Sequence, residues 1–72
     1  MAIVLQEPKY KAIVEKLKKK RFEVGLTQVQ VAERLGVFQE DISRIETLQT
    51  QLDILMLLKL CDLYKCKINE VL

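Results

Sequence analysis

The stretch from Thr27 to Glu46 leaves this chain the least freedom in how it folds. Thr27 stands three residues ahead of Gln30, the spacing at which a hydroxyl and an amide cap each other's backbone, so a helix should begin at Gln28. Val31, Ala32 and Leu35 then recur at helical spacing until Gly36, whose missing Cβ suits the left-handed turn that closes a helix. After Val37 a second segment restarts, with Ile42 and Ile45 inward. Two helices joined by so short a link must cross steeply, and the small Ala32 lets the second approach the first.

That arrangement is a helix-turn-helix, and its residues carry a resemblance. TQxxxAxxLG followed by QxxISRIE resembles the Cro and phage-repressor family of DNA-binding proteins, aligning without a gap from Leu17 to Leu72. The resemblance implies an all-α fold: a compact bundle of about five short helices with a central helix-turn-helix, like the lambda-repressor DNA-binding domain. It also implies a sequence-specific transcriptional regulator. Such a protein acts as a homodimer on a palindromic operator of double-stranded DNA, with half-sites about one helical turn apart, in a bacterial or phage-infected cytoplasm. The chain departs from the family at Phe38, where the second helix usually starts with Ser, Thr or Pro. It departs again at Glu40 and Asp41, where small or neutral polar residues are usual, and in Glu46-Thr47-Leu48, where the family has Glu-x-Gly followed by basic residues.

Gln39, Glu40, Ser43 and Arg44 point away from Ile42 and Ile45, and these are the side chains that the resemblance aims at the bases of the major groove. Gln39 suits adenine, Arg44 suits guanine or a phosphate, and Glu40 can only accept, as from a cytosine amine. Asp41 reads as a charge favoured at a helix N-terminus. For the DNA backbone the available groups are Lys20, Thr27, Gln28 with the helix N-terminus, Gln49 and Thr50. Arg21 lies on an apolar stripe and needs a partner, and in the family an arginine at this place pairs with a glutamate that matches Glu46. A second class of function competes with the first. Gly36 to Asp53 holds Glu40, Asp41, Glu46 and Asp53 against Arg44 alone, which suits a degenerate helix-turn-helix serving as a protein-interaction module, antitoxin-like or for assembly.

The rest of the chain reads as one domain over 1–72, with residues 1–7 an extended N-terminal arm and a first helix opening at Pro8. Tyr10, Ile13, Val14, Leu17, Arg21 and Val24 form its inward stripe; Phe22 lies off it and suits a cover for the arm. Gly25 stops this helix, and Leu26 plugs the corner. A fourth helix, roughly Leu52 to Tyr64, is apolar nearly all round. Ile54, Leu57, Leu58, Cys61 and Tyr64 make the expected core face. Met56, Leu60 and Leu63 make an opposite ridge that, with Val71 and Leu72, is the expected dimer interface. The arm folding back over Met56 and Leu60 within one chain is the competing cover. Lys65 occupies the place where the family commonly has Gly, so strain is expected there.

A formal net charge of +2 over 72 residues does not by itself argue for nucleic acid. The inventory argues against catalysis: no His, no nucleophile beside a base, no glycine-rich phosphate loop. The chain is therefore not expected to be an enzyme or to need a cofactor or small-molecule substrate. Cys61 and Cys66 do not make a zinc site without His, so no metal is expected; Cys61 reads as core and Cys66 as half-exposed. The opening Met1-Ala2-Ile3-Val4-Leu5 is too short for a membrane span.

Overall fold

The computed structural model describes residues 7–72, and its elements are helical: α1 (Pro8–Glu23), α2 (Gln28–Leu35), α3 (Gln39–Glu46), α4 (Ile54–Leu63) and a single 3-10 turn (Ile68–Glu70). The expected five helices are thus four α-helices and one short turn. Ile68–Glu70 is too brief to close an α-helical ring pattern and tightens instead into i to i+3 bonds. The arm expected over residues 1–7 lies, but for Glu7, outside the described residues. Glu7 is the N-cap of α1, its carboxylate accepting from the Lys9 N–H at 3.1 Å.

Local chemistry explains the boundaries. The Thr27 Oγ1 accepts from the Gln30 N–H at 3.1 Å while the Gln30 side chain accepts from the Thr27 N–H at 2.9 Å, so both halves of the capping box hold α2's start. Gly36 ends α2 at φ +70, with open space around any added Cβ, so glycine is favoured there by backbone conformation and not by crowding. Lys65 adopts φ +56 and Leu48 adopts φ +63, both with side chains attached. These are the two positions where the family's glycine is missing, and the left-handed turn is kept at a conformational cost of roughly 1–2 kcal/mol each.

α2 and α3 cross closely over Ala32, and the core they share with α1 and α4 is Leu17, Val31, Ala32, Ile42, Leu57, Leu60, Cys61, Tyr64 and Val71. Val14 and Ile45 are buried with them. Val24, expected inward, is instead exposed, because α1 ends at Glu23 and Val24 is already its C-cap.

The largest correction is on α4. Ile54 and Leu58, expected in the core, are 68% and 46% exposed, whereas Leu60, expected on the outer ridge, is buried. The helix is rotated by roughly half a residue's step from the expected face. Leu57, Leu60, Cys61 and Tyr64 point inward, and Met56 and Leu63 pack half-buried at the margin. Val71, also assigned to the dimer interface, is fully buried, and only Leu72 of that set stays well exposed. Leu60 and Val71 are core residues and are not available to a partner; the exposed apolar face of α4 is Ile54, Leu55 and Leu58. Cys61 is buried, and burial pushes its thiol up to about 11 with help from nearby Cys66.

Two contacts tie the C-terminal turn to α1. The Lys16 ammonium donates to the Leu72 carbonyl at 3.1 Å, and the Lys20 ammonium pairs with Glu70 at 3.1 Å.

Candidate nucleic-acid interface

The site is built around the start of α3. Phe38 is its N-cap, with extended backbone (φ −86, ψ 150) and no side-chain oxygen to hold the helix. Asp41 supplies the reciprocal half of a capping box: its Oδ2 accepts from the Phe38 N–H at 3.0 Å while its own N–H donates to the Phe38 carbonyl at 2.9 Å. One of the two unusual acids is therefore accounted for by helix initiation. Glu40 is exposed, and so is Arg44, which leans towards Asp41 at 3.9 Å.

Behind this surface runs a chain of hydrogen bonds that ends in an ion pair. The Gln39 Nε2 donates to the Gln28 Oε1 at 2.7 Å, and the Gln28 Nε2 donates to the Glu46 Oε1 at 2.9 Å. Glu46 in turn accepts both prongs of the Arg21 guanidinium, from Nε at 2.7 Å and Nη2 at 3.0 Å. The third prong, Nη1, donates to the Leu26 carbonyl at 2.9 Å, at the corner between α1 and α2. Arg21 and Glu46 side chains are each 7% exposed, and the Glu46 carboxylate raises the already high pKa of the guanidinium. The Phe22 ring lies 4.5 Å from that guanidinium, shielding it from the solvent side. Three helices thereby fix the orientation of one side chain, Gln39.

The remaining candidates are placed as follows. Thr27 Oγ1 is an acceptor within the capping box, and the Gln28 and Val29 N–H groups, in the first turn of α2, have no intrahelical acceptor. Ser43 is half-buried, its carbonyl accepting from the Thr47 hydroxyl at 2.8 Å. The segment after α3 folds back on Arg44, whose carbonyl accepts from the Gln49 N–H at 2.7 Å and the Thr50 N–H at 3.3 Å. Gln49 also donates from Nε2 to the Thr47 hydroxyl at 2.9 Å, so Gln49 and Thr50 are both exposed yet held. Lys20 is paired with Glu70 and lies 3.6 Å from Glu23; its pKa is raised chiefly by the bond to Glu70, which leaves it partly neutralised. The carboxyl of Glu70 is lowered by the Lys67 N–H and then by Lys20.

Sequence patterns missed two contributors. The Tyr10 hydroxyl accepts from the Leu52 N–H at 2.7 Å and donates to the Thr50 carbonyl at 3.4 Å, pinning the α3–α4 loop to α1 across some forty residues of sequence. The Gln28–Gln39 bond joins two residues assigned to different parts of DNA. Neither has a local signal, since each depends on which helices lie side by side.

A family model described as helix-turn-helix matches residues 17–71. The chain belongs to that family. It is a helix-turn-helix protein of the Cro and phage-repressor type, and the family is one of DNA-binding transcription regulators. No curated protein and no solved structure matches it. The matched span takes in every helix but the first half of α1, including the whole Arg21–Glu46–Gln28–Gln39 chain. Among the described residues, no helix is long and apolar enough to cross a membrane.

Proposed function

We propose that this helix-turn-helix protein is a sequence-specific regulator that lays α3 in the major groove of double-stranded DNA, with two copies meeting a palindromic operator. The observation that carries this is the anchored amide of Gln39. One of its two N–H groups is spent on Gln28, which leaves one N–H and the carbonyl oxygen without a partner among the described residues. That remaining donor and acceptor match the N7 and N6 edge of adenine. Gln28 keeps one N–H of its own for a phosphate oxygen beside the N-terminus of α2. Ser43 and Arg44 lie further along the same helix, with Arg44 suited to guanine or phosphate.

Cations are few on this surface: Arg21 is consumed by Glu46 and Lys20 is shared with Glu70. Affinity should depend on salt with a shallow slope, roughly −2 per protomer in log K against log salt if Lys20 and Arg44 are the cations engaged. Two copies are best joined through the exposed apolar face of α4, Ile54, Leu55 and Leu58. The test is selection of genomic fragments at low ionic strength, followed by Gln39→Ala. That variant should lose discrimination at one base position per half-site, by about 1–3 kcal/mol. If the wild type selects no fragment and a natural protein partner is captured instead, the chain is an interaction module built on a helix-turn-helix.

A further inference from the structure

We infer that Phe38 reads the C5-methyl group of a thymine at a base pair neighbouring the one met by Gln39, an inference that rests on the DNA-binding proposal above. Phe38 is 76% exposed, the most exposed large hydrophobic side chain among the described residues. This exposure is not a frayed end. The Phe38 backbone is held on both sides by Asp41, through its N–H and its carbonyl, and the preceding Val37 N–H donates to the Ala32 carbonyl at 3.0 Å. The ring therefore projects from a fixed point at the leading end of α3, one residue before the anchored amide of Gln39.

The chemistry of the groove leaves one match. Base edges in the major groove offer donors and acceptors, which a phenyl ring cannot satisfy, and one apolar group, the thymine methyl. Phosphates are excluded as its counterpart, since the ring carries no hydrogen-bond donor and no charge. Burying a ring on a methyl group also supplies affinity on a surface whose cations are largely spent on Glu46 and Glu70.

The experiment uses the full chain and a duplex that it selects from a random-sequence library. Each thymine of that duplex is replaced in turn by uracil, which removes the methyl and keeps every base-pairing and groove hydrogen-bonding group. The wild type should lose roughly fourfold in affinity at one position of each half-site, the worth of about one buried methyl. Phe38→Ala should bind more weakly overall and be indifferent to uracil at that position. Replacing the critical pair so that 5-methylcytosine sits where the thymine did should restore part of the wild-type affinity relative to cytosine. A uracil scan that is flat for the wild type overturns the inference and leaves the DNA proposal standing, and so does an equal loss in wild type and Phe38→Ala. Failure to select any duplex overturns the DNA proposal and this inference with it.

Discussion

Arg21 shows how one buried charge organises a surface meant for something else. Its guanidinium is completed by Glu46 and the Leu26 carbonyl, and the same carboxylate passes its second lone pairs to Gln28 and so to Gln39. Such a pair adds little net stability over an apolar replacement, because both ions have been taken out of water. Removing one partner strands the other. Arg21→Met or Glu46→Met alone should therefore cost about 3–5 kcal/mol, and the double variant much less than the sum, as measured by urea unfolding. Single variants that unfold at the wild-type denaturant midpoint would contradict this. Phe38 is the opposite case, a side chain whose position is fixed while its own ring is left uncovered.

Among the elements, the connection between α3 and α4 matters most, because it carries Gln49 and Thr50 and contains Leu48 in a left-handed conformation. A strained loop keeps its shape only where its surroundings hold it. Here Arg44's carbonyl gathers two N–H groups from one side and Tyr10's hydroxyl takes the Leu52 N–H from the other. Tyr10→Phe removes the second hold and leaves the Leu52 N–H, in a half-buried position, without its acceptor. The expected cost is about 1–2 kcal/mol in thermal unfolding, with faster hydrogen exchange at Leu52 and little change in α2. Unchanged exchange at Leu52 would mean that Tyr10 does not restrain the loop. On α4 itself, the cap Asp53, accepting from the Met56 N–H at 2.7 Å, sets where the helix begins and leaves Leu52 outside it.

For the molecule as a whole, the surplus apolar surface is what points to a second copy. Ile54, Leu55 and Leu58 share one side of α4, and each exposed leucine moved from water into apolar contact contributes roughly 1.5–3 kcal/mol before association entropy is subtracted. One such face can meet its own image about a twofold axis, which is the symmetry a palindromic operator requires. Wild-type protein at micromolar concentration should sediment as a dimer and Leu55→Glu as a monomer. The variant should stay folded, since Leu55 is 60% exposed, and lose only the concentration-dependent part of its melting temperature that the dimer supplies. A wild type that sediments as a monomer at high concentration removes the dimer from the proposal.

Short-range rules made much of this protein legible in its residues. The Thr27–Gln30 capping box, the Pro8 start, the left-handed Gly36 and the inward Ile42 and Ile45 all depend on chemistry within a few residues of themselves. That Arg21 needs a partner follows from a charge on an apolar stripe, and the family resemblance names Glu46 as that partner. The face of α4 was only faintly legible, for a physical reason: leucine-like side chains occur on nearly every other side of it, and Lys59 and Asp62 are the only polar residues from Ile54 to Leu63 that set the phase of the helical period. Packing supplied that phase. Leu17, Ile42 and the returning Val71 form the cavity that Leu57, Leu60, Cys61 and Tyr64 fill, and only then are Ile54, Leu55 and Leu58 left in water. The same holds for Tyr10 on the Leu52 N–H and for Gln28 on Gln39. A hydrogen bond between residues distant along the chain has no signature until the helices that bear them are set side by side.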